Sequence, residues 1–271
     1  MRLRSATLLG IAARALVVLI LGFIILPAAV VAIAAFNDRA LLAFPPESFS
    51  LRWFFKAFAY RDFQTGFHNG VIVMLAASSL AVVIGTAFAF ALDRYRFAGR
   101  GLIESLLLAP LVVPHFTVGL GFLILAAQVR LMRSFTVVIV CHVVLVLPFV
   151  LRSVYISLRN LDRRLELAAE SLGARPVRVL FTVTLPLLIP GIVSGWLFAA
   201  ILSFNEFTAS LFVTAQRTQT LPVAMYNYVR EYADPTMAAM SLIFIVGTAI
   251  LVTLANSFLG LGKVLNVDHG R

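Results

Sequence analysis

Long apolar runs, rather than strict alternation or a heptad, organise this chain. Six stand out, at 15–35, 69–92, 102–127, 135–151, 185–204 and 237–261. About 20 apolar residues are enough to carry a helix across a hydrocarbon core. Backbone in lipid must satisfy its own hydrogen bonds, so the runs predict helices and not open strands. The expectation is an all-α membrane protein of six transmembrane helices. It divides into an N-terminal helix with the first external loop (1–68), a core transmembrane domain (69–261) and a tail (262–271).

The first run follows Arg2, Arg4 and Arg14 and ends near a small-x-small triplet at Ala32, Ile33 and Ala34, which resembles a signal peptide. A signal core has roughly 7–15 apolar residues. The longer run reads as a retained first helix. Prolines interrupt several runs: Pro27, Pro110, Pro114, Pro148, Pro186 and Pro190. Each frees a carbonyl and can kink a helix. Two stretches look alike, from Pro110 to Pro114 and from Pro186 to Pro190, each with a glycine five residues farther on, Gly119 and Gly195. Such helices can line a pathway; tolerated kinks are the plainer reading.

Composition removes the soluble alternative. The 271 residues are 61% hydrophobic and 13% charged, against roughly a quarter charged in an ordinary soluble domain. The net charge of +10 does not indicate nucleic acid, because the basic residues sit in the short segments between runs. There they report orientation. Fourteen Lys and Arg fall on one side: the N-terminus, 94–100, 152–178, and the tail with Lys263 and Arg271. Eight fall on the other. The richer side is cytoplasmic, which places both termini inside. The single cysteine, Cys141, lies in an apolar run and forms no internal disulfide; it reads as a small buried hydrophobe.

The runs carry no lysine or carboxylate well inside them, whereas proton-coupled carriers keep ionisable groups at mid-membrane. This disfavours a self-sufficient channel or secondary transporter. His115, between Pro114 and Phe116, is the one exception noted. Its plain reading is a helix contact or break where the ring bonds a backbone carbonyl. No metal-ligand cluster or nucleophile constellation supports a membrane enzyme.

The segment between the fourth and fifth runs, 159–184, is the most informative. Asp162 can cap a helix whose apolar residues Leu165, Ala168, Ala169 and Leu172 fall on one face. Gly173 suits the left-handed residue that ends it, and Pro176 the first turn of a second short helix. Ala168 and Ala169 keep the face low, so that another protein can approach. An interfacial helix on lipid is the alternative, weakened by the mixed charges of Arg163, Arg164, Glu166 and Glu170.

This segment resembles the "EAA" loop of permeases in binding-protein-dependent ABC importers. That pattern is Glu-Ala-Ala, then Gly four residues after the second Ala, then Leu-Pro farther on. Here Ala168-Ala169, Gly173 and Leu185-Pro186 fall in place, but the family Glu falls on Leu167 and the carboxylate sits one residue earlier, at Glu166. One residue turns a helical side chain by about 100°. The resemblance implies a type I importer permease (MetI-like) fold in a bacterial inner membrane. It implies a second homologous permease, with a heterodimer expected, two ATPase subunits that grip the loops, and a periplasmic substrate-binding protein. ATP and Mg would be bound by the partner ATPase; the chain has no G-x-x-x-x-G-K-[ST] and no cofactor is expected in it.

Within that superfamily the chain resembles the spermidine/putrescine permeases of the PotC type. The residues that carry this are 110–115, the stretch 220–228, and Asp234-Pro235. Relatives for 2-aminoethylphosphonate, opines and other small amino compounds share similar patterns. His115, Asn205, Glu206, Tyr226 and Tyr228 are the candidate pathway or gate residues, since carboxylates and aromatic faces suit ammonium groups. Similar Asn-Glu-Phe stretches occur in sugar permeases, so a general gate or scaffold role for Glu206 competes with substrate contact. Tyr226 and Tyr228 can equally anchor a short helix at the outer interface.

Overall fold

The structure is a computed structural model that describes residues 2–40, 46 and 48–259. The expected tail at 262–271, with Lys263 and Arg271, and the end of the sixth run at Leu261 lie outside the described residues. The described chain is helical, with one isolated antiparallel bridge between Asn37 and Phe49. Its helices are α1 (Arg2–Ala34), α2 (Arg52–Ala59), α3 (Arg61–Arg94), α4 (Arg100–Leu108), α5 (His115–Gln128) and α6 (Phe135–Asn160). They continue as α7 (Arg163–Ser171), α8 (Pro176–Val179), α9 (Leu185–Asn205), α10 (Ser210–Val213), α11 (Leu221–Glu231) and α12 (Thr236–Leu259).

Among the described residues, five helical stretches are long and apolar enough to cross a membrane: Ala13–Ala34, Arg61–Arg94, Phe135–Asn160, Pro176–Asn205 and Thr236–Thr253. The remaining expected span, the third, is not straight. A 3-10 turn, Ala109–Leu111, ends α4, and α5 leaves it at 104°. Pro114 has an extended backbone (φ −56°, ψ 136°), and it biases Val113 away from the helical region. The span expected at 102–127 is therefore a bent pair. The fifth span also departs from expectation, because helix continues from Pro176 through a π-helical segment, Leu180–Thr184, into α9. The wider turn of the π segment lies just before Pro186, where an α-helical turn would press the ring on the preceding carbonyls.

The described residues divide into two compact units, one within 2–61 and 225–249 and the other within 62–224 and 250–259. In the first, Ala34 and Ala35 at the end of α1 pack with Trp53 of α2 and Ala238 and Ala239 of α12. Trp53 Nε1 donates to the Asn37 carbonyl at 2.6 Å. Side chains along 16–26 of α1 are exposed within the chain, as a lipid-facing helix requires.

In the second unit α6 and α9 form the central pair. Gly195 lies against Val150 and Ser153, and Ser153 Oγ donates to the Gly191 carbonyl at 2.8 Å. Proline at 190 supplies no N–H, yet α9 stays continuous while these small residues hold it close to α6. Helix α3 adds a buried stripe, Val73, Ala77, Ala81, Gly85 and Ala89, at intervals of four. Such a stripe lets backbones approach without a hydrophobic drive from the lipid.

Candidate functional site

The cytoplasmic segment folds as two short helices with a built turn between them. Asp162 caps α7 by accepting from Arg164 N at 2.9 Å. At the other end Gly173 has φ +86°, Gly173 N donates to the Glu170 carbonyl at 2.9 Å, and Ala174 N donates to the Ala169 carbonyl at 3.1 Å. Together they form a Schellman cap. No side chain of α7 is fully buried. Leu165, Ala168 and Leu172 are exposed, with Leu172 at 89%, and Ala169 is half-buried. An apolar face is thus left open on a helix that also carries Glu166 and Arg163, and leaving large apolar side chains in water costs about 25 cal/mol per Å².

Glu166 does not join that face. Arg94, the last residue of α3, donates through Nη2 to Oε1 at 2.6 Å and Oε2 at 2.5 Å of Glu166. Thr184 Oγ1, at the end of the π segment, donates to Oε1 at 2.6 Å. Arg163 of α7 donates to Asp93 of α3 at 3.0 Å. Glu166 therefore ties α7 to the cytoplasmic ends of two membrane spans, while Leu167, in the family Glu position, is 59% exposed. Leu185 and Pro186 begin α9 directly above this tie.

A second polar site forms where the break before α5 meets the end of α9. His115 is the first residue of α5, and its Nδ1 lies 2.7 Å from Glu206 Oε2. Oε1 of Glu206 accepts from Ala209 N at 2.7 Å. The expected backbone partner of His115 is thus corrected to a carboxylate, brought within reach by the 104° bend. The Glu206 side chain is 10% exposed and that of His115 45%. Asn205 turns back to its own helix and donates to the Ile201 carbonyl at 2.7 Å.

His142 extends this site and corrects the reading that His115 is the sole ionisable exception. It lies inside α6, 1% exposed. Its Nδ1 meets Ser203 Oγ and its Nε2 meets Ser210 Oγ, each at 2.8 Å. Ser210 Oγ donates to the Glu206 carbonyl at 2.9 Å. With its own proton on that carbonyl, Ser210 Oγ is placed to accept from an Nε2–H of His142. His115, His142, Ser203 and Glu206 line one small cavity of about 50 Å³. A histidine inside an apolar run was the available signal, by the rule that ionisable groups in spans are functional by default.

Tyr226 and Tyr228 belong to the first unit. Tyr226 is 38% exposed, with Arg230 over its ring at 5.8 Å. Tyr228 is buried, and its hydroxyl donates to Asp234 at 3.0 Å. Lys56 donates to the same carboxylate at 2.5 Å. Burial pushes the Asp234 carboxyl up, but bonds from Lys56, Thr236 and Tyr228 outweigh it and hold it below the ordinary value. The bond to Asp234 raises Lys56, against a smaller loss from burial. Burial raises the Tyr228 phenol. Among the described residues no group of His, Cys, Asp and Glu could hold a metal ion.

Residues 81–259 match the family described as "Binding-protein-dependent transport system inner membrane component". The chain belongs to this family. The permease is 29% identical over 222 residues to the spermidine/putrescine transport system permease protein PotC of Haemophilus influenzae, covering 79% of this chain and 86% of that one. It is 30% identical over 249 residues to the putrescine transport system permease protein PotI of Escherichia coli, covering 89% and 88%. The molybdenum transport system permease protein ModB of Escherichia coli is 32% identical over 213 residues, covering 70% of this chain and 92% of that one. Among solved structures, a bacterial ABC transporter involved in the import of the acidic polysaccharide alginate aligns with TM-score 0.73 at 15% identity, covering 94% and 98%. The MetNI methionine ABC transporter, in an inward-facing conformation, aligns with TM-score 0.58 at 17% identity, covering 74% and 98%. These two support the MetI-like fold alone. The chain is a multi-pass membrane protein and the permease subunit of an ABC importer, a transport subunit and not a catalytic one.

Proposed function

We propose that this permease forms half of the pathway for a small cationic amine, a polyamine such as putrescine or spermidine, in an ATP-driven importer. The observation that carries the reading is Glu206, a largely sequestered carboxylate whose side-chain partner is a histidine at a helix break. An imidazole can leave and become neutral, so a substrate ammonium can take its place on Oε2. The likeness to PotC and PotI over most of the chain supports the same substrate class. The likeness to ModB shows why the site, and not identity alone, must carry the choice.

In this reading the partner is a second homologous permease, in a heterodimer, with two ATPase subunits beneath that bind ATP and Mg, and a periplasmic binding protein above. The exposed face of α7 seats in an ATPase groove. Closure of the ATPase pair moves α7, and the Glu166 tie carries that movement to α3 through Arg94 and to α9 through Thr184. Helix α9 ends at Glu206, so the same motion reaches the site that receives the amine.

The test is uptake by the reconstituted assembly with its own binding protein. Putrescine or spermidine should be taken up, and the Glu206→Gln variant should lose at least about tenfold of that uptake, the factor that about 1.4 kcal/mol represents. Uptake of 2-aminoethylphosphonate, an opine or molybdate in place of polyamines would contradict the substrate class. Full polyamine uptake by Glu206→Gln would contradict the role of the carboxylate.

A further inference from the structure

A pocket of about 490 Å³ opens at the cytoplasmic ends of α3, α4 and α6, away from the Glu206 site. Five arginines, Arg94, Arg96, Arg100, Arg159 and Arg163, line it with Asp93. Two carboxylates answer two of these cations: Glu166 pairs with Arg94, and Asp93, 2% exposed, pairs with Arg163. Arg100 reaches only the Tyr155 hydroxyl, at 3.5 Å. Among the described residues Arg96 and Arg159 have no side-chain partner. Arg94 Nε is buried, makes no hydrogen bond and lies 3.6 Å from Asp93 Oδ2. Three guanidinium charges without a carboxylate partner thus converge on a concavity whose one lining carboxylate, Asp93, already faces Arg163 and Arg94.

Retaining cations on the cytoplasmic side explains why arginines are present, but not why they gather around one hollow. Like charges gathered in this way repel unless an anion answers them. Guanidinium groups match phosphate oxygens in geometry as well as charge. The position decides the source. Arg94 ends one span, Arg100 opens the bent pair and Arg159 lies in the last turn of another. The pocket therefore stands at the level of the inner-leaflet headgroups. Basic pockets between spans on that side suit anionic headgroups. We propose that this pocket binds the phosphate of an anionic phospholipid from the cytoplasmic leaflet, and that the bound headgroup steadies the end of α3 to which α7 is tied.

The experiment uses the complete assembly, purified with its partner subunits in mild detergent. Retained lipid is counted by native mass spectrometry, and thermal unfolding is followed with added phosphatidylglycerol, phosphatidylcholine or inorganic phosphate. The wild type should retain phosphatidylglycerol and be protected by it, and not by the other two. Binding should weaken roughly fivefold for each cation removed, so Arg96→Gln with Arg159→Gln should lose retention. The variants Arg96→Lys and Arg159→Lys keep the charge and should keep most of the lipid, which separates lost binding from lost folding. Equal retention by wild type and the double Gln variant would overturn the proposal. Protection by inorganic phosphate as full as that by the lipid would assign the pocket to a free anion and overturn the lipid source. Loss of ATPase subunits with unchanged lipid would show an acidic protein surface as the occupant, and would overturn it as well.

Discussion

Glu166 and Glu206 are both carboxylates held by a basic side chain at the end of a membrane helix, and the nature of that partner separates them. Glu166 faces Arg94, whose charge is permanent and whose two bonds run from one nitrogen to both oxygens at 2.6 and 2.5 Å. Thr184 fills a further acceptor position. Such a pair holds helices in one arrangement, which suits an element that must transmit movement. Glu206 faces His115, whose charge is optional, and the partner ring is much more exposed than the carboxylate. Such a pair can open and admit another cation. In the proposed function the same functional group serves as a fixed tie on the cytoplasmic side and as an exchangeable site at the far end of α9.

The largest expected effect comes from removing the permanent cation. Arg94→Ala leaves Glu166 partly buried with only the Thr184 hydroxyl to answer it, which costs up to about 3 kcal/mol. Thermal unfolding of the purified assembly should show the loss, and hydrolysis should no longer depend on the binding protein. Arg94→Lys should recover part of the stability, since an ammonium keeps the charge but not the planar fork. If Arg94→Ala unfolds and couples like the wild type, the tie has no mechanical role.

A smaller effect is expected on the exchangeable side from Gly119→Ala. A Cβ there would meet Ala209 Cα and O at 2.8 Å, which is backbone and cannot swing away. Overpacking of this kind costs about 1–3 kcal/mol. It should displace the Ala209 N–H that holds Glu206, so uptake should fall more than the stability of the cytoplasmic loop. Next comes Gly173→Ala. Nothing lies within 4 Å of the new Cβ, so only the left-handed backbone is strained, at about 1–2 kcal/mol. The variant should insert normally and bind its ATPase less tightly in a pull-down. An unchanged pull-down would separate the turn from docking.

The smallest effect belongs to the Lys56–Asp234 pair of the first unit. Its lysine is about half exposed, so Lys56→Ala should cost no more than about 1 kcal/mol. The sign with pH follows from the shifts. Asp234 is lowered, so its contribution is present above the ordinary carboxylate range and is lost as pH falls through its folded value. Lys56 is raised, so its contribution is present below the ordinary lysine range and is lost as pH rises through its folded value. The difference between wild type and Lys56→Ala should therefore be flat across neutral pH.

Local signals were legible in the sequence, and contacts between distant residues were not. Asp162, Gly173 and Pro176 act on their own turns, and the cap, the left-handed residue and the second helix start follow from their chemistry. The two proline pairs show the limit. Pro110–Pro114 and Pro186–Pro190 have the same spacing, yet one precedes a 104° bend and the other lies in a continuous span. What separates them is a π segment ahead of Pro186 and the Ser153 hydroxyl on Gly191, neither visible in a spacing rule. His142 passed unnoticed because its partners, Ser203 and Ser210, lie more than sixty residues away. Glu166 lies one position off the family pattern, and its partners Arg94 and Thr184, on other helices, explain what it does there.

The division of roles between the two carboxylates is tested most directly by measuring ATP hydrolysed and polyamine imported in the same vesicles, for Glu166→Gln and Glu206→Gln side by side. The account predicts that Glu206→Gln keeps hydrolysis dependent on the binding protein while import falls at least about tenfold. It predicts that Glu166→Gln loses that dependence and import together. Matching defects in the two variants, or coupled import at the wild-type rate in Glu166→Gln, would contradict it.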